Sequence, residues 1–317
     1  MRNNWLHISN QVAVITGAGS GIGASIARAL SQQGCSLLLS DQHACMDDLE
    51  KLKLSIIREL PVSSSSSTQI RCYPCDVTHK EQVDRLIREA DDLATTISSR
   101  FVDSNSSFYV APNRASILIN SAGITRDKVI HDMSELDFDS VINVNLKGTF
   151  LTCQAFSSTQ RVQDILTYTS NRQNLGASIV NIGSIISQTG NIGQTNYAAS
   201  KGGVVGLTRA LAKEMAYVST RRWKDQLERQ VLVNSSSPNG HRPPSIRVNC
   251  ILPGFIDTSM TQKVPEHIRK SIQQKIPLHQ QMGQPDDVAN LALFLASSLR
   301  SGYITGQAFE CTGMLAL

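Results

Sequence analysis

The chain has 317 residues, 41% of them hydrophobic and 18% charged, the composition of an ordinary globular protein with room for one large core or two small ones. Its net charge of +4 is small and scattered, which argues against a nucleic-acid-binding surface. No apolar run approaches the roughly 18 residues that a membrane span needs, so a soluble chain without one is expected.

In chain order, short β-rich runs alternate with helical stretches. Val12–Thr16 reads as a buried strand and Ile22–Leu30 as the helix after it. Ser36–Ser40 is a second strand, closing on Asp41, and Gln69–Cys75 a third. Thr78 then opens a helix, with Glu81 three residues on as a capping box. Further strands are expected at Ser116–Asn120, Ser178–Ile182, Ile246–Leu252 and Gln307–Cys311, and helices at Ser134–Phe156, Thr195–Ala216 and Pro285–Ser298. This alternation predicts an α/β fold: a single domain built on a doubly wound parallel sheet of about seven strands, with helices on both faces. Four polar segments without periodicity, Pro61–Thr68, Ser98–Arg114, Thr167–Gly176 and Val218–Ser245, read as loop insertions. Each follows a helix and precedes a strand, which puts it on the rim opposite the ligand-binding ends of the strands.

Seven cysteines, an odd number spread along the chain, read as reduced thiols. Cys72 and Cys75 form a lone C-x-x-C with no second pair or histidine cluster beside it, so strand-end thiols are expected and no metal. The N-terminus lacks a secretory apolar region. It has no acidic residue before Asp41, as a mitochondrial presequence has, but the first strand starts near Gln11. A cleaved leader of ordinary length would cut into the fold, so any import signal is expected to be short or retained.

Two constellations carry chemistry. Thr16-Gly17-Ala18-Gly19-Ser20-Gly21-Ile22-Gly23 follows a strand and opens a helix. Glycines there allow a sharp turn and a close approach of the backbone to a pyrophosphate, on a helix N-terminus that favours negative charge. Asp41, about 20 residues on, stands where an acid accepts the hydroxyls of an adenosine ribose. Ser20 brings no positive charge for a 2′-phosphate and no arginine follows Asp41, so NAD(H) is expected over its phosphorylated form. The second constellation is Tyr197-Ala-Ala-Ser-Lys201, with Tyr197 and Lys201 on one helical face. Ser184, thirteen residues before the tyrosine at a strand end, offers a hydroxyl to a carbonyl oxygen. An ammonium beside a phenol is expected to lower its pKa toward the range of proton transfer.

These motifs resemble, over essentially the whole length, the short-chain dehydrogenase/reductase family with its Rossmann-type fold. Asp76-Val77, Asn120-Ser121-Ala122-Gly123, Asn145 and Pro253-Gly254 stand in the family's order with the glycine turn, Ser184, Tyr197 and Lys201. The resemblance implies that Asp76 and Val77 bind the adenine, and that Asn120, Ala122 and Gly123 line the middle of the cofactor. Ile256 would meet its carboxamide and Thr258 a phosphate. It implies a catalytic set of Asn145, Ser184, Tyr197 and Lys201, with Asn145 supporting a proton relay and Lys201 also holding the nicotinamide ribose. Gly190–Lys201, Leu252–Ile256, Met260–Pro265 and Ser301–Gly306 are most similar to the branch that acts on 3-oxoacyl and 3-hydroxyacyl thioesters and on 17β-hydroxysteroids. That branch implies an acyl-thioester or steroid substrate, a homo- or hetero-tetramer with a related reductase subunit, and a mitochondrial matrix location, with the cytoplasm as alternative. A non-catalytic NAD-binding scaffold subunit is the contrasting reading, against which the intact catalytic set argues. Two departures stand out: Asn120-Ser121 in place of the usual Asn-Asn, and the 218–245 segment, which is expected to interrupt the Tyr/Lys helix where the family builds a subunit interface.

Overall fold

The computed structural model describes residues 5–61, 68–99, 114–167, 176–231 and 244–315. Seven strands, β1 (Val12–Thr16), β2 (Ser36–Asp41), β3 (Ile70–Pro74), β4 (Ile117–Asn120), β5 (Gly176–Ile182), β6 (Ser245–Pro253) and β7 (Ala308–Cys311), form one sheet. All are parallel, in the order β3-β2-β1-β4-β5-β6-β7. The helices are α1 (Gly21–Gln32), α2 (Met46–Glu59), α3 (Lys80–Ser98), α4 (Glu135–Val141), α5 (Thr149–Phe156), α6 (Thr159–Thr167), α7 (Ile186–Thr189), α8 (Thr195–Val231), α9 (Glu266–Gln274) and α10 (Pro285–Ala296). This is the Rossmann-type α/β architecture expected from the sequence. No described helix is long and apolar enough to cross a membrane.

The strands read as continuous apolar runs because both faces are covered. Ala13, Ile15, Leu37, Leu39, Ile117 and Ile119 pack against α1, α2 and α10 in one core. Their neighbours Val12, Val14, Leu38 and Leu118 point the other way, against α3, α5, α6 and α8. Strand order reverses between β1 and β4, which leaves a crevice at their carboxyl ends.

Several local expectations are corrected. The helix that starts at Thr195 does not stop near Ala216 but runs to Val231, about 55 Å in all. Residues 218–231 were expected to be loop because their apolar periodicity is weak. They contain no glycine or proline and are rich in Arg, Lys, Gln, Glu and Leu, so backbone propensity carries the helix on. The remainder of that segment, 232–243, lies outside the described residues, as do 62–67, 100–113 and 168–175 of the other polar segments. Thr78 does not cap α3: its amide and hydroxyl both bind the Asp76 carboxylate, at 2.9 and 2.8 Å, and the helix begins at Lys80. Between α4 and α5 the chain makes a π-helical turn over Ile142–Gly148. Cys72 is half-buried and Cys75 buried, and burial pushes both thiols up to about 12.

At the amino rim, Asp91 of α3 and Arg161 of α6 form a buried ion pair at 2.9 Å. Arg114 adds a second contact to Asp91 at 2.9 Å and reaches Asp164 at 2.6 Å. Arg161 also donates to the Ala115 carbonyl at 2.7 Å, and Ala115 N–H donates to Asp91. Breaking such a pair leaves a buried charge uncompensated. Arg161→Met is expected to lower unfolding free energy by about 3–5 kcal/mol in urea titrations, with cofactor affinity retained because the site is on the other rim. An unchanged midpoint would mean that Arg114 alone carries Asp91.

Candidate active site

The parallel register aligns one polar row across the sheet near its carboxyl ends. Ser40, Thr16, Asn120, Asn181 and Cys250 are direct neighbours in that order. Buried polar groups need partners within the protein, and the two asparagines of this row have them, whereas the Ser40 hydroxyl has none among the described residues. Asn120 Nδ2 donates to Asn181 Oδ1 at 2.9 Å, and Thr152 Oγ1 donates to Asn120 Oδ1 at 2.7 Å. Asn181 Nδ2 donates to Thr208 Oγ1 at 2.9 Å. The Asn120 side chain is therefore a buried brace joining β4, β5, α5 and α8.

Above this row the glycine turn leaves β1. Gly17 has φ +64°, and a Cβ on it would meet the backbone of Ala122 at 2.6 Å, so the turn packs directly on the chain after β4. Gly23 lies so close to the carbonyl of Gly17 that no side chain fits there. Gly21 (φ +52°) faces Thr258, whose methyl is 3.3 Å from where its Cβ would stand. The structure thus brings Gly17, Gly19, Ser20, Gly21, Ile22, Gly23, Ala122 and Thr258 to one place. Ser20 starts α1 without a side-chain cap, and the first turn holds no acidic residue. Amides at a helix start with neither are suited to a phosphate.

Asp41 closes β2 beside the turn. Its Oδ2 accepts the Gly19 N–H at 3.0 Å and its Oδ1 the Gln42 N–H at 2.8 Å, so the carboxylate is aimed before any ligand arrives. Asp76 follows β3. Burial works against its ionised form, but the Thr78 amide and hydroxyl and the His79 ring outweigh it and hold the carboxyl below its usual range. Val77 fills the space a side chain would need at Gly148. Pro253 ends β6, Gly254 packs on Thr312 where a Cβ would lie at 2.8 Å, and Ile256 is buried.

Ser184, just past β5, and Tyr197 and Lys201, in the first turns of α8, meet at the crevice with Asn145 of the π turn. A Cβ on Gly123 would lie 3.3 Å from Asn145 Oδ1 and 3.5 Å from Lys201 Nζ, so the chain after β4 packs closely against both side chains. Asn145 is fully buried: its Oδ1 accepts the Ile124 N–H at 2.8 Å, and its Nδ2 donates to the Ile124 carbonyl at 3.0 Å and to Ser200 Oγ at 3.1 Å. Ser200 Oγ donates in turn to the Tyr197 carbonyl at 2.8 Å. Ser200 and Asn196, whose Oδ1 accepts the Tyr197 N–H at 2.7 Å, were not singled out by the sequence. Their place beside Tyr197 in the chain was the only signal.

The electrostatics differ from expectation in one respect. Burial pushes the Tyr197 phenol up to about 12, opposed by the Ser184 hydroxyl and reinforced by the charge of Asp127. Lys201 Nζ lies over the ring, 5.8 Å from its centroid, and donates to the Ile182 carbonyl at 2.8 Å. Burial draws the lysine itself down to about 8. The pair thus holds a neutral phenol and a weakly acidic ammonium, a proton donor with a reserve behind it. Among the described residues, no three His, Cys, Asp or Glu side chains converge as metal ligands.

A family model described as short chain dehydrogenase matches residues 11–99 and 109–221, and one described as enoyl-(acyl carrier protein) reductase matches 239–313. The chain is 37% identical over 313 residues to the (3R)-3-hydroxyacyl-CoA dehydrogenase of Mus musculus, covering 98% of each chain. It is 35% identical over 310 residues to the Homo sapiens protein of the same name, covering 97% of this chain and 96% of that one. To the 3-oxoacyl-[acyl-carrier-protein] reductase FabG of Thermotoga maritima it is 33% identical over 312 residues, covering 98% of this chain and all of the other.

Proposed function

The chain belongs to the short-chain dehydrogenase/reductase family, and from that premise we propose that it is an NAD(H)-dependent oxidoreductase interconverting 3-oxoacyl and 3-hydroxyacyl thioesters in fatty-acid metabolism. The observation that carries the reading is the convergence of Ser184, Tyr197, Lys201 and Asn145 beside a glycine turn able to take a dinucleotide. The substrate class is supported by end-to-end likeness to enzymes named for those thioesters. Preference for the unphosphorylated cofactor is supported by Asp41, whose charge would repel a 2′-phosphate and whose oxygens would accept ribose hydroxyls.

The glycine turn, the start of α1 and Thr258 would hold the pyrophosphate, Asp41 the adenosine ribose, Asp76 and Val77 the adenine, and Lys201 with Ile256 the nicotinamide end. When bound, the nicotinamide supplies or takes a hydride at the carbonyl carbon. Ser184 donates a hydrogen bond to the substrate oxygen and stabilises its developing charge. Tyr197 Oη gives that oxygen its proton in reduction and takes it back in oxidation. A phenol held protonated by burial suits the reducing direction. Lys201 stands behind it as a proton source, fixed by the Ile182 carbonyl.

Tetrameric assembly belongs to the same proposal. It is supported by exposed apolar side chains on α4, α5 and α8, among them Leu136, Phe150 and Tyr217, which are 78%, 43% and 65% accessible.

The test is reduction of acetoacetyl-CoA by purified protein, with NADH and NADPH side by side. Turnover with a clear NADH preference is expected. Turnover with NADPH alone would sink the cofactor assignment, and NADH binding without turnover would sink the substrate.

A further inference from the structure

We propose that Asp127 is a positioning residue for Tyr197: it latches the chain after β4 onto the turn that starts α8 and keeps a carboxylate facing the phenol. The inference rests on the oxidoreductase reading above but not on the identity of the alcohol.

Three consecutive residues after β4 grip the approach to Tyr197. Arg126 offers its carbonyl to Asn196 Nδ2 at 2.9 Å, the residue whose other amide atom caps the Tyr197 N–H. Asp127 Oδ2 accepts from Gln194 Nε2 at 2.9 Å. Lys128 N–H donates to the Gly193 carbonyl at 2.8 Å. Gln194 is itself held by Asn191 Nδ2, at 3.0 Å on Oε1. The turn 191–196 leads straight into the phenol, so this latch fixes where α8 begins. Two of its three contacts use backbone atoms, which most side chains at 126 and 128 would leave intact. The third depends on Asp127.

A carboxylate at that point also acts through its charge. The groups facing the phenol are Ser184 from the end of β5, Lys201 from α8, with Cys250 of β6 beyond it, and Asp127 from the chain after β4. Ser184 favours the phenolate and Asp127 opposes it. The neighbouring cations do not cancel Asp127: Arg126 turns to the Thr125 carbonyl, and Lys128 pairs with Asp137 at 3.2 Å. Gln194 and Thr125 hydrogen-bond the Asp127 carboxylate, while its partial burial lifts its pKa above the usual range. Asp127 remains accessible to solvent, so its influence is screened and modest. Latch and charge separate by substitution, because asparagine keeps an oxygen for Gln194 and loses the charge.

The test compares wild type, Asp127→Asn and Gln194→Ala in the oxidising direction, with 3-hydroxybutyryl-CoA or another accepted alcohol, from about pH 6 to 10. Tyr197 acts there as the base, so the rate rises with pH as the phenolate forms. Removing a nearby negative charge favours phenolate, so the rising limb of kcat in Asp127→Asn is expected to move to lower pH. At a pH below the limb kcat should be about threefold higher than wild type, with KM within about twofold. Gln194→Ala keeps the charge and loses the latch: kcat is expected to fall several-fold at every pH, without a downward shift of the limb. The same shift is read without turnover by the phenolate absorbance difference between the Tyr197-containing and Tyr197→Phe forms of each protein, in the presence of NAD. An Asp127→Asn limb or phenolate titration that superimposes on wild type, or moves to higher pH, overturns the proposal. A wild type that oxidises some other alcohol and not the acyl thioester overturns only the substrate reading.

Discussion

Tyr197→Phe is expected to lower turnover about 1,000-fold or more while leaving the dissociation constant of NADH within about twofold. The substitution removes one oxygen and little else. The ring stays under Lys201, whose Nζ is 5.8 Å from its centroid. Lys201 keeps its bond to the Ile182 carbonyl, and Asn196 still caps the backbone of residue 197. What is lost is the hydroxyl proposed to give the substrate oxygen its proton, with Ser184 left as a donor that cannot easily ionise. Stopped-flow fluorescence for NADH binding, beside steady-state kcat, reads the two quantities separately. A variant keeping more than about a tenth of wild-type turnover would mean that another acid serves the reaction, and Ser184 with a bound water would become the first suspect.

Asp41→Asn is expected to move the ratio of NADH to NADPH efficiency by about 100-fold toward NADPH. Hydrogen bonds to a charged acceptor contribute about 1.5–3 kcal/mol each, and the repulsion of a 2′-phosphate disappears with the same change. The single oxygen of asparagine can keep the Gly19 N–H, which braces the turn, and gives up the Gln42 N–H. Any loosening that does occur falls on both cofactors alike and cancels in the ratio. Parallel kcat/KM measurements with each cofactor give the answer directly. A ratio that stays put would show that discrimination lies elsewhere, in the stretch after Asp41 that includes His43 and Cys45.

Much of this was legible in the chain. Parallel strands buried on both faces announce themselves as short β-branched runs, and Val12–Thr16 was read with the boundaries it has in the structure. The glycine turn was legible because its spacing has a mechanical cause: a Cβ at Gly17 or Gly23 collides with backbone. Other features were hidden for physical reasons. The sequence of 218–231 carries only weak apolar periodicity, so no stripe marks that end of α8. Helix α2 does carry apolar residues at helical intervals, Leu49, Leu52 and Ile56, all buried, and a closer count of spacing would have found it. The Thr78 hydroxyl had two possible partners, and sequence could not say that the Asp76 carboxylate would claim it. The direction of Lys201 toward a carbonyl, and the placement of Asp127 against Gln194, arise from long-range contacts that no local pattern encodes.

The π turn at Ile142–Gly148 has a consequence for how this stretch of chain can change. A π turn contains one residue more than the α turn it replaces. Since each residue advances an α-helix by about 100°, the two halves of the rod are out of phase by that angle. Before the turn Val141 faces inward; after it Leu151, Cys153 and Phe156 do. Losing a single residue here would mend the helix into a regular one of nearly the same length. It would also rotate one half against the other, so that either Asn145 left Ile124 and Ser200 or Phe156 left the core. Substitutions can accumulate along this rod one at a time, but its residue count is locked, and any change in length has to come in whole turns.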